Sequence, residues 1–114
     1  MPTDPGTVVS TYVASWTSGD FDTTRSTLHD DATFVGPLGT AEGIEECLQG
    51  VQRLKQIVES SVQHKLIVDG DDVCLIYDLV TTVAGTVPTA GWFQVSDGRI
   101  RSIRVFFDAR PFAT

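Results

Sequence analysis

Residues 91–112 read GWFQVSDGRIRSIRVFFDARPF, the clearest structural signal in the chain. Apolar and polar residues alternate on both sides of Asp97-Gly98, a pattern typical of strands, and Asp-Gly favours a tight hairpin turn. Two further runs rich in β-branched residues lie upstream, bounded by turn-forming residues. The second half of the chain therefore predicts an antiparallel meander of four strands, at residues 57–68, 72–83, 87–96 and 99–108.

The first half carries helical spacing instead. Asp4 is a capping residue followed by Pro5, which suits the first turn of a helix, and apolar residues then recur every three or four positions until Gly19. Asp20 or Asp22 can cap a short second helix. These signals predict two consecutive helices at the start of the chain.

A third helix is predicted after a brief strand at residues 32–35. Thr40 is its expected cap, and apolar residues from Ile44 to Leu54 follow the helical period. Helices first and strands afterwards indicate an α+β fold. We expect three N-terminal helices packed on a strongly curved, mainly antiparallel sheet that closes a conical interior, all within one domain of residues 1–114.

The composition restricts the partners of this domain. Hydrophobic residues make up 41% of 114 residues, enough for one core, and the net charge of −7 argues against nucleic acid or an anionic membrane as a partner. No run approaches the ~18 apolar residues of a membrane span and the N-terminus lacks a secretory pattern, so we expect a cytoplasmic protein. Two histidines without metal-ligand spacing predict no metal, and Cys47 and Cys74 are expected to be buried free thiols.

Three segments carry a resemblance to a known family: SWTSGDFD at 15–22, DDATFVGPLG at 30–39 and the stretch at 91–112. Together with the order of elements they resemble the nuclear transport factor two-like superfamily, and within it the SnoaL-like group of ketosteroid isomerases, polyketide cyclases and limonene epoxide hydrolase. The resemblance implies a homodimer. It also implies a conical apolar pocket, between the first and third helices and the sheet, that takes a small apolar molecule without cofactor or metal.

The catalytic positions of these relatives do not match. The general base of ketosteroid isomerases falls on Gly36, and of their two oxyanion donors the tyrosine matches Tyr12 while the aspartate falls on Gly91. Isomerisation needs both a base and donors for the enolate, so Tyr12 alone does not run it. The positions of the epoxide hydrolase's polar set hold Phe34, Gly36, Val80, Asp78 and Val105, and none of these matches.

The alternation of side chains along the strands gives a second way to predict which residues line the pocket. If Gly91, Ile103 and Val105 face the interior, Phe93 and Phe107 do too. On the neighbouring strand we expect an interior phase formed by Cys74, Ile76, Asp78 and Val80.

Asp78 would then be one carboxylate among apolar neighbours, and such burial raises an acid's pKa and suits a general acid/base. In the alternative, Asp78 faces the other side and pairs with a basic residue at a dimer interface.

Other polar and aromatic residues complete the candidate site. Tyr12 and Trp16 lie one helical turn apart and are expected to face the pocket with Val51, although core packing also explains them. His64 shares the apolar phase of its strand, so it is either a satisfied, partly buried histidine or a proton relay with Asp78. Trp92 and Arg104 fall on the opposite sheet face, which predicts a homodimer joined by sheet faces.

Two functions follow from this pattern. In the first, the pocket binds a lipophilic, ring-containing molecule of polyketide or steroid type without catalysis. In the second, a cofactor-free isomerase, cyclase or lyase uses Asp78 as general acid/base and Tyr12 as donor. The predicted pocket walls are the same in both: Trp16, Phe34, Gly36, Val51, Val80, Gly91, Phe93, Ile103, Val105 and Phe107.

Overall fold

The computed structural model of the protein describes residues 4–112. Three helices lie in the first half of the chain and a meander of four strands forms the second half. The helices are α1 (Pro5–Ser18), α2 (Phe21–Ser26) and α3 (Ile44–Lys55), and the strands are β1 (Leu28–Gly36), β2 (Gly39–Glu42), β3 (Val58–Asp69), β4 (Asp72–Thr81), β5 (Gly85–Ser96) and β6 (Arg99–Phe106). A short 3-10 helix, Arg110–Phe112, follows β6.

The first helix begins and ends as the sequence predicts, and the second begins at one of its two predicted caps. The Asp4 carboxylate accepts a hydrogen bond from the Thr7 backbone N–H at 3.1 Å, and Gly19 ends α1 in the left-handed conformation, with a φ of 89°. Asp20, rather than Asp22, caps α2 by accepting from the backbone N–H of Thr23. Side-chain caps of this kind satisfy N–H groups that have no partner within the helix.

The predicted start of α3 at Thr40 is wrong. Thr40 lies in β2, where it pairs with Val35 in a short hairpin that the sequence did not indicate. Gly43 precedes α3 with a φ of 87° and makes no side-chain capping bond. The hairpin is missed because four residues are too few to show an alternating pattern.

The six strands form one sheet in the order β2-β1-β6-β5-β4-β3. Every neighbouring pair is antiparallel except β1 and β6, which run parallel. Asp97 and Gly98 both have positive φ, 55° and 76°, as the predicted tight turn between β5 and β6 requires. The predicted α+β class and the mainly antiparallel sheet are therefore confirmed.

The helices cover one side of the sheet, which we call the helix face; the opposite side is the open face. The core lies between the helix face and α1 and α3, with Val9, Leu28, Phe93 and Ile100 among its most buried members. Within residues 4–112, no helix is long and apolar enough to cross a membrane.

Candidate functional site

Strand β4 shows which side chains reach the interior. Leu75, Tyr77 and Leu79 point to the helix face and are almost fully buried. Cys74, Ile76, Asp78 and Val80 alternate with them and lie on the open face. The predicted interior phase of this strand is therefore wrong by one residue, because VCLIYDLV is apolar on both faces and periodicity alone leaves its orientation undecided.

Asp78 pairs with His64 on the open face. Asp78 Oδ2 lies 2.8 Å from His64 Nε2, and the side chains are 24% and 51% exposed. A β-bulge between Gln63 and Lys65 shifts the register of β3, so His64 does not share the phase of Leu66, which packs on the core. The predicted His-Asp pair exists, but it lies across the sheet from the core and has no access to the interior.

The interior contains a small cavity of about 30 Å³, which we call the inner cavity. Tyr12, Trp16, Tyr77, Thr81 and Val105 line it together with other apolar residues of α3 and the sheet, and none of its described lining residues is charged. This volume holds about two water-sized groups. The inner cavity is thus an apolar space with hydroxyl groups in its wall.

Tyr12 and Tyr77 are the two tyrosines in the described lining of the inner cavity. Both residues are 3% exposed. Burial raises the pKa of Tyr12 well above its usual 10.0, with Tyr77 and Cys47 adding to the rise, and burial likewise raises the pKa of Tyr77. Both side chains therefore remain neutral phenols at any physiological pH.

A larger cavity, the groove, lies between α3 and the β1–β2 hairpin. Its volume is about 460 Å³, and Phe34, Leu38, Ala41, Leu54 and Phe107 supply much of its apolar wall. Glu46, Gln49 and Arg53 of α3 add polar groups at its exposed edge. The groove shares Phe34, Val51, Leu54 and Phe107 with the inner cavity, so those four side chains separate the two spaces.

Two glycines stand at the positions where catalytic side chains were sought, and an aromatic ring covers each. A Cβ on Gly36 would lie 3.0 Å from the Phe34 ring, and a Cβ on Gly91 would lie 2.6 Å from the Phe93 ring. Real Cβ atoms essentially never approach a neighbour as closely as 2.6 Å. At both positions a phenyl ring fills the space that a side chain would need.

The other predicted wall residues divide between four places: the inner cavity, the groove, the core and the open face. Trp16, Phe34, Val51, Val105 and Phe107 line the inner cavity, and Phe34, Gly36, Val51 and Phe107 line the groove. Gly91, Phe93 and Ile103 face the core as expected but line neither space. Val80 lies on the open face, so its predicted place in the pocket wall is wrong.

Two residues of these walls were not predicted from the sequence. Tyr77 lines the inner cavity, but the sequence placed Asp78 on the inner face of β4 and so placed Tyr77 on the outer face. Gly50 of α3 lines the groove. A glycine in the middle of an otherwise good helix was the available signal, because it costs about 1 kcal/mol relative to alanine.

Both cysteines are free thiols, but the predicted burial is correct only for Cys47 and wrong for Cys74. Cys47 is buried, its Sγ donates to the Ala32 carbonyl at 3.4 Å, and burial raises its pKa to about 11. Cys74 is only half-buried, on the open face. In the described part of the chain, no three His, Cys, Asp or Glu side chains are placed to share a metal ion.

The open face carries exposed apolar side chains across five of the six strands. Hydrogen-bonded register aligns Ile67, Cys74, Trp92, Arg104 and Val35 in one row across the sheet. The Arg104 guanidinium lies 5.6 Å from the Trp92 ring centre, in a cation–π contact. Among residues 4–112, the large apolar side chains exposed on this face are Val35, Val62, Ile67, Ile76, Trp92 and Phe106.

Comparison with known proteins identifies the fold. Residues 9–103 match the family model described as SnoaL-like domain. An NTF2-like protein of unknown function from Cytophaga hutchinsonii is 28% identical, with a TM-score of 0.86 over 98% of this chain and 96% of that one. None of the curated proteins matches this chain.

Two further structures share the fold at lower identity. A candidate SnoaL-like polyketide cyclase from Jannaschia sp. CCS1 is 22% identical, with a TM-score of 0.80 over 91% of this chain and 85% of that one. An LEH-like epoxide hydrolase from M. tuberculosis is 24% identical, with a TM-score of 0.79 over 92% and 83% of the two chains. The predicted superfamily and its SnoaL-like group are confirmed.

Proposed function

This chain belongs to the SnoaL-like family, and from that premise we propose that it binds a small lipophilic, ring-containing molecule rather than catalysing a reaction. The ligand occupies the groove between α3 and the β1–β2 hairpin. The observation that carries the proposal is the groove itself, whose 460 Å³ falls within the range of small-molecule sites and whose wall is mainly apolar.

Gly50 supports the same location for the ligand. It lies in the second half of α3 and lines the groove, and a Cβ added there meets nothing within 4 Å. Alanine has the higher helix propensity, and its methyl group would fit here, yet the chain has glycine at this position. A requirement for close approach of a ligand to the helix backbone accounts for that choice.

The chemistry of the interior favours binding over catalysis. The alternative enzyme rests on Asp78 as general acid/base, and Asp78 lies on the open face beside His64. The described lining of the inner cavity offers phenols and a threonine hydroxyl but no carboxylate, imidazole or amine. Proton transfer at carbon needs a base of suitable pKa within hydrogen-bond reach, and neutral buried phenols do not supply it. The described lining of the groove has one carboxylate, Glu46, which lies at the exposed edge, where its Oε1 accepts a hydrogen bond from the Glu42 backbone N–H.

The uncharged dye N-phenylnaphthylamine tests this proposal, because its fluorescence rises in an apolar site. We expect saturable binding with one site per chain in the wild type. Gly50→Phe fills the groove from a position with open space, so it should weaken binding at least tenfold while the helix remains intact by circular dichroism.

Gly50→Ala is the matched control. It removes the same glycine but leaves most of the groove free, so dye affinity should stay within about twofold. If Gly50→Phe binds the dye as tightly as Gly50→Ala, the groove is not the site.

We also propose that the chain forms a homodimer through the open face. The six exposed apolar side chains on that face, including Trp92 and Phe106, form a patch of the kind that marks protein interfaces. The His64–Asp78 pair and Arg104 supply polar groups within the same surface. A second copy of the chain would bury this patch symmetrically.

Sedimentation of two charge variants tests the dimer. Phe106 on the open face is 56% exposed and Val83 in the β4–β5 turn is 59% exposed, so the two sites are matched in exposure. Phe106→Asp should yield monomer at micromolar concentration, whereas Val83→Asp should remain dimeric. A wild-type chain that sediments as a monomer at that concentration would overturn the proposal.

A further inference from the structure

The edge of the groove that belongs to α3 carries three residues along one side of the helix. Glu46, Gly50 and Arg53 are spaced by four and three positions, the spacing of neighbours on a helix surface, and all three line the groove. The rise of the helix places Arg53 about 5 Å beyond Gly50, toward the C-terminal end of α3. The helix backbone at Gly50 therefore meets the groove between an acidic and a basic side chain.

Arg53 is the single basic residue in the described lining of the groove. Its Nε donates a long hydrogen bond, 3.4 Å, to the Gln49 carbonyl of the same helix. Among residues 4–112 its two terminal nitrogens form neither a hydrogen bond nor a salt bridge, whereas Arg25 and Arg110 lie 2.7 and 2.6 Å from carboxylate oxygens. Arg53 therefore has donors available for an anion at the edge of the groove.

The end of α3 explains part of this arrangement. Arg53 and Lys55 lie in the last turn of the helix, where the helix dipole favours positive charge. The dipole accounts for the charge but not for the contact with the groove, since a side chain directed to solvent would serve it equally. The place of Arg53 in the groove wall therefore needs a second explanation.

From these observations we propose that the ligand of the groove is a carboxylic acid, whose apolar ring packs on Gly50 and whose carboxylate binds the Arg53 guanidinium. This inference rests on the proposed binding function and names the class of molecule that the groove takes. A guanidinium presents paired N–H groups that match the two oxygens of a carboxylate. With about 5 Å of helix between Gly50 and Arg53, a carboxylate attached directly to the ring reaches the guanidinium.

Glu46 sets the direction in which the acid lies. It is seven residues before Arg53, about 10 Å away along the helix axis, and its Oε1 accepts a hydrogen bond from the Glu42 backbone N–H at 3.0 Å. That separation is close to the screening length of about 10 Å at ~0.1 M salt, so Glu46 does not cancel the charge of Arg53. It does repel a carboxylate at its own end of the groove. The acid group therefore points toward the C-terminal end of α3.

Competition against bound N-phenylnaphthylamine tests the inference with fluorene-2-carboxylate and fluorene-2-carboxamide, two molecules of nearly the same shape that differ in charge. Arg53 is exposed, so its pairing is screened by solvent and has a moderate effect. We expect the wild type to bind the carboxylate roughly threefold to tenfold more tightly than the amide at low ionic strength. About 0.5 M NaCl should reduce this preference to about twofold or less. Equal affinity for the two molecules at low ionic strength overturns the inference.

Substitution of Arg53 assigns the preference to one side chain. Arg53→Gln should abolish it, and Arg53→Lys, which keeps the charge without the paired N–H groups, should retain only part of it. The ratio of the two affinities is taken within each variant, so a general loss of binding cancels. Arg101→Gln removes another exposed arginine, on β6 and outside the described lining of the groove, and should keep the wild-type preference. A preference that survives Arg53→Gln overturns the inference.

Glu46→Gln gives a change of opposite sign. Removing the like charge should raise the preference for the carboxylate by up to about twofold, and a fall in that preference contradicts the assigned direction of the acid.

These results are separable from failure of the proposed function. If Gly50→Phe releases both N-phenylnaphthylamine and the amide but the wild type shows no preference for the carboxylate, the binding function stands and only the acidic class is lost. If Gly50→Phe leaves dye binding unchanged, the groove itself is not the site.

Discussion

Tyr77 and Asp78 are neighbours in the sequence and lie on opposite faces of the sheet. Tyr77 is almost completely buried and lines the inner cavity, whereas Asp78 is paired with His64 on the open face. An ionised carboxylate is costly to bury without a cation, and a phenol needs only one partner. The polar group that the interior accepts is therefore the neutral one.

The same contrast extends along β4 on both sides of this pair. Side chains of β4 that point the same way as Tyr77 are buried against the helices. Those that point the same way as Asp78 are partly exposed and lie among apolar neighbours. Both faces are apolar, but among residues 4–112 helices cover only the helix face. The helix face thus carries the stability of the fold, and the open face is the surface that the proposed dimer would bury.

The largest expected effect comes from truncating neighbouring residues of the two faces. Leu75 is fully buried and Ile76 is 38% exposed. Leu75→Ala should lower the free energy of unfolding by about 2–5 kcal/mol, because it leaves a cavity, and Ile76→Ala by less than about 1 kcal/mol. Urea unfolding in the Phe106→Asp background measures both without a contribution from dimerisation. Equal losses would show that the two faces are not distinct.

A methyl group at Gly91 is the next test of the helix face. Gly91→Ala forces the fully buried Phe93 ring to move, and overpacking of this kind costs about 1–3 kcal/mol. Gly36→Ala meets the less buried Phe34 ring and should cost less than Gly91→Ala. Thermal unfolding of the two variants checks the order, and a reversed order would mean that the Phe93 ring is not fixed.

Alkaline titration of the folded protein tests whether the phenol of Tyr77 is buried. Tyr12 and Tyr77 have a raised pKa in the folded state. Their contribution to the free energy of unfolding is therefore complete below pH 10.0, the pKa of a tyrosine in the unfolded chain, and is lost as the pH rises above that value. One unit above that value, each should account for about 1 kcal/mol of lost stability. Tyr77→Phe should flatten the decline between pH 10 and 11, measured by urea unfolding. An unchanged slope would contradict the burial of the phenol.

The smallest effect is expected at Asp78. Asp78→Asn weakens a partly exposed hydrogen-bonded pair with His64, which should change the free energy of unfolding by less than about 1 kcal/mol. The affinity for N-phenylnaphthylamine should stay within twofold, since the carboxylate lies across the sheet from the groove. A tenfold loss of affinity for the dye in a folded Asp78→Asn variant would show that Asp78 belongs to the binding site.

The sequence by itself determined the three helices, the four-stranded meander and the family, although it did not indicate the β1–β2 hairpin. The caps at Asp4 and Asp20, the turn at Asp97-Gly98 and the alternation in β5 and β6 are local features, and local backbone chemistry is sufficient to produce them. It also identified Gly36 and Gly91 as positions without catalytic side chains.

Only the tertiary structure decided which face of β4 is inside. A strand that is apolar on both faces has no internal signal of its orientation, so the packing of α1 and the bulge in β3 set the phase that buries Tyr77 and exposes His64. The rings over Gly36 and Gly91 belong to residues two positions away, yet their placement depends on what fills the interior around them. Contacts between distant segments, which no local pattern encodes, therefore fixed the candidate site.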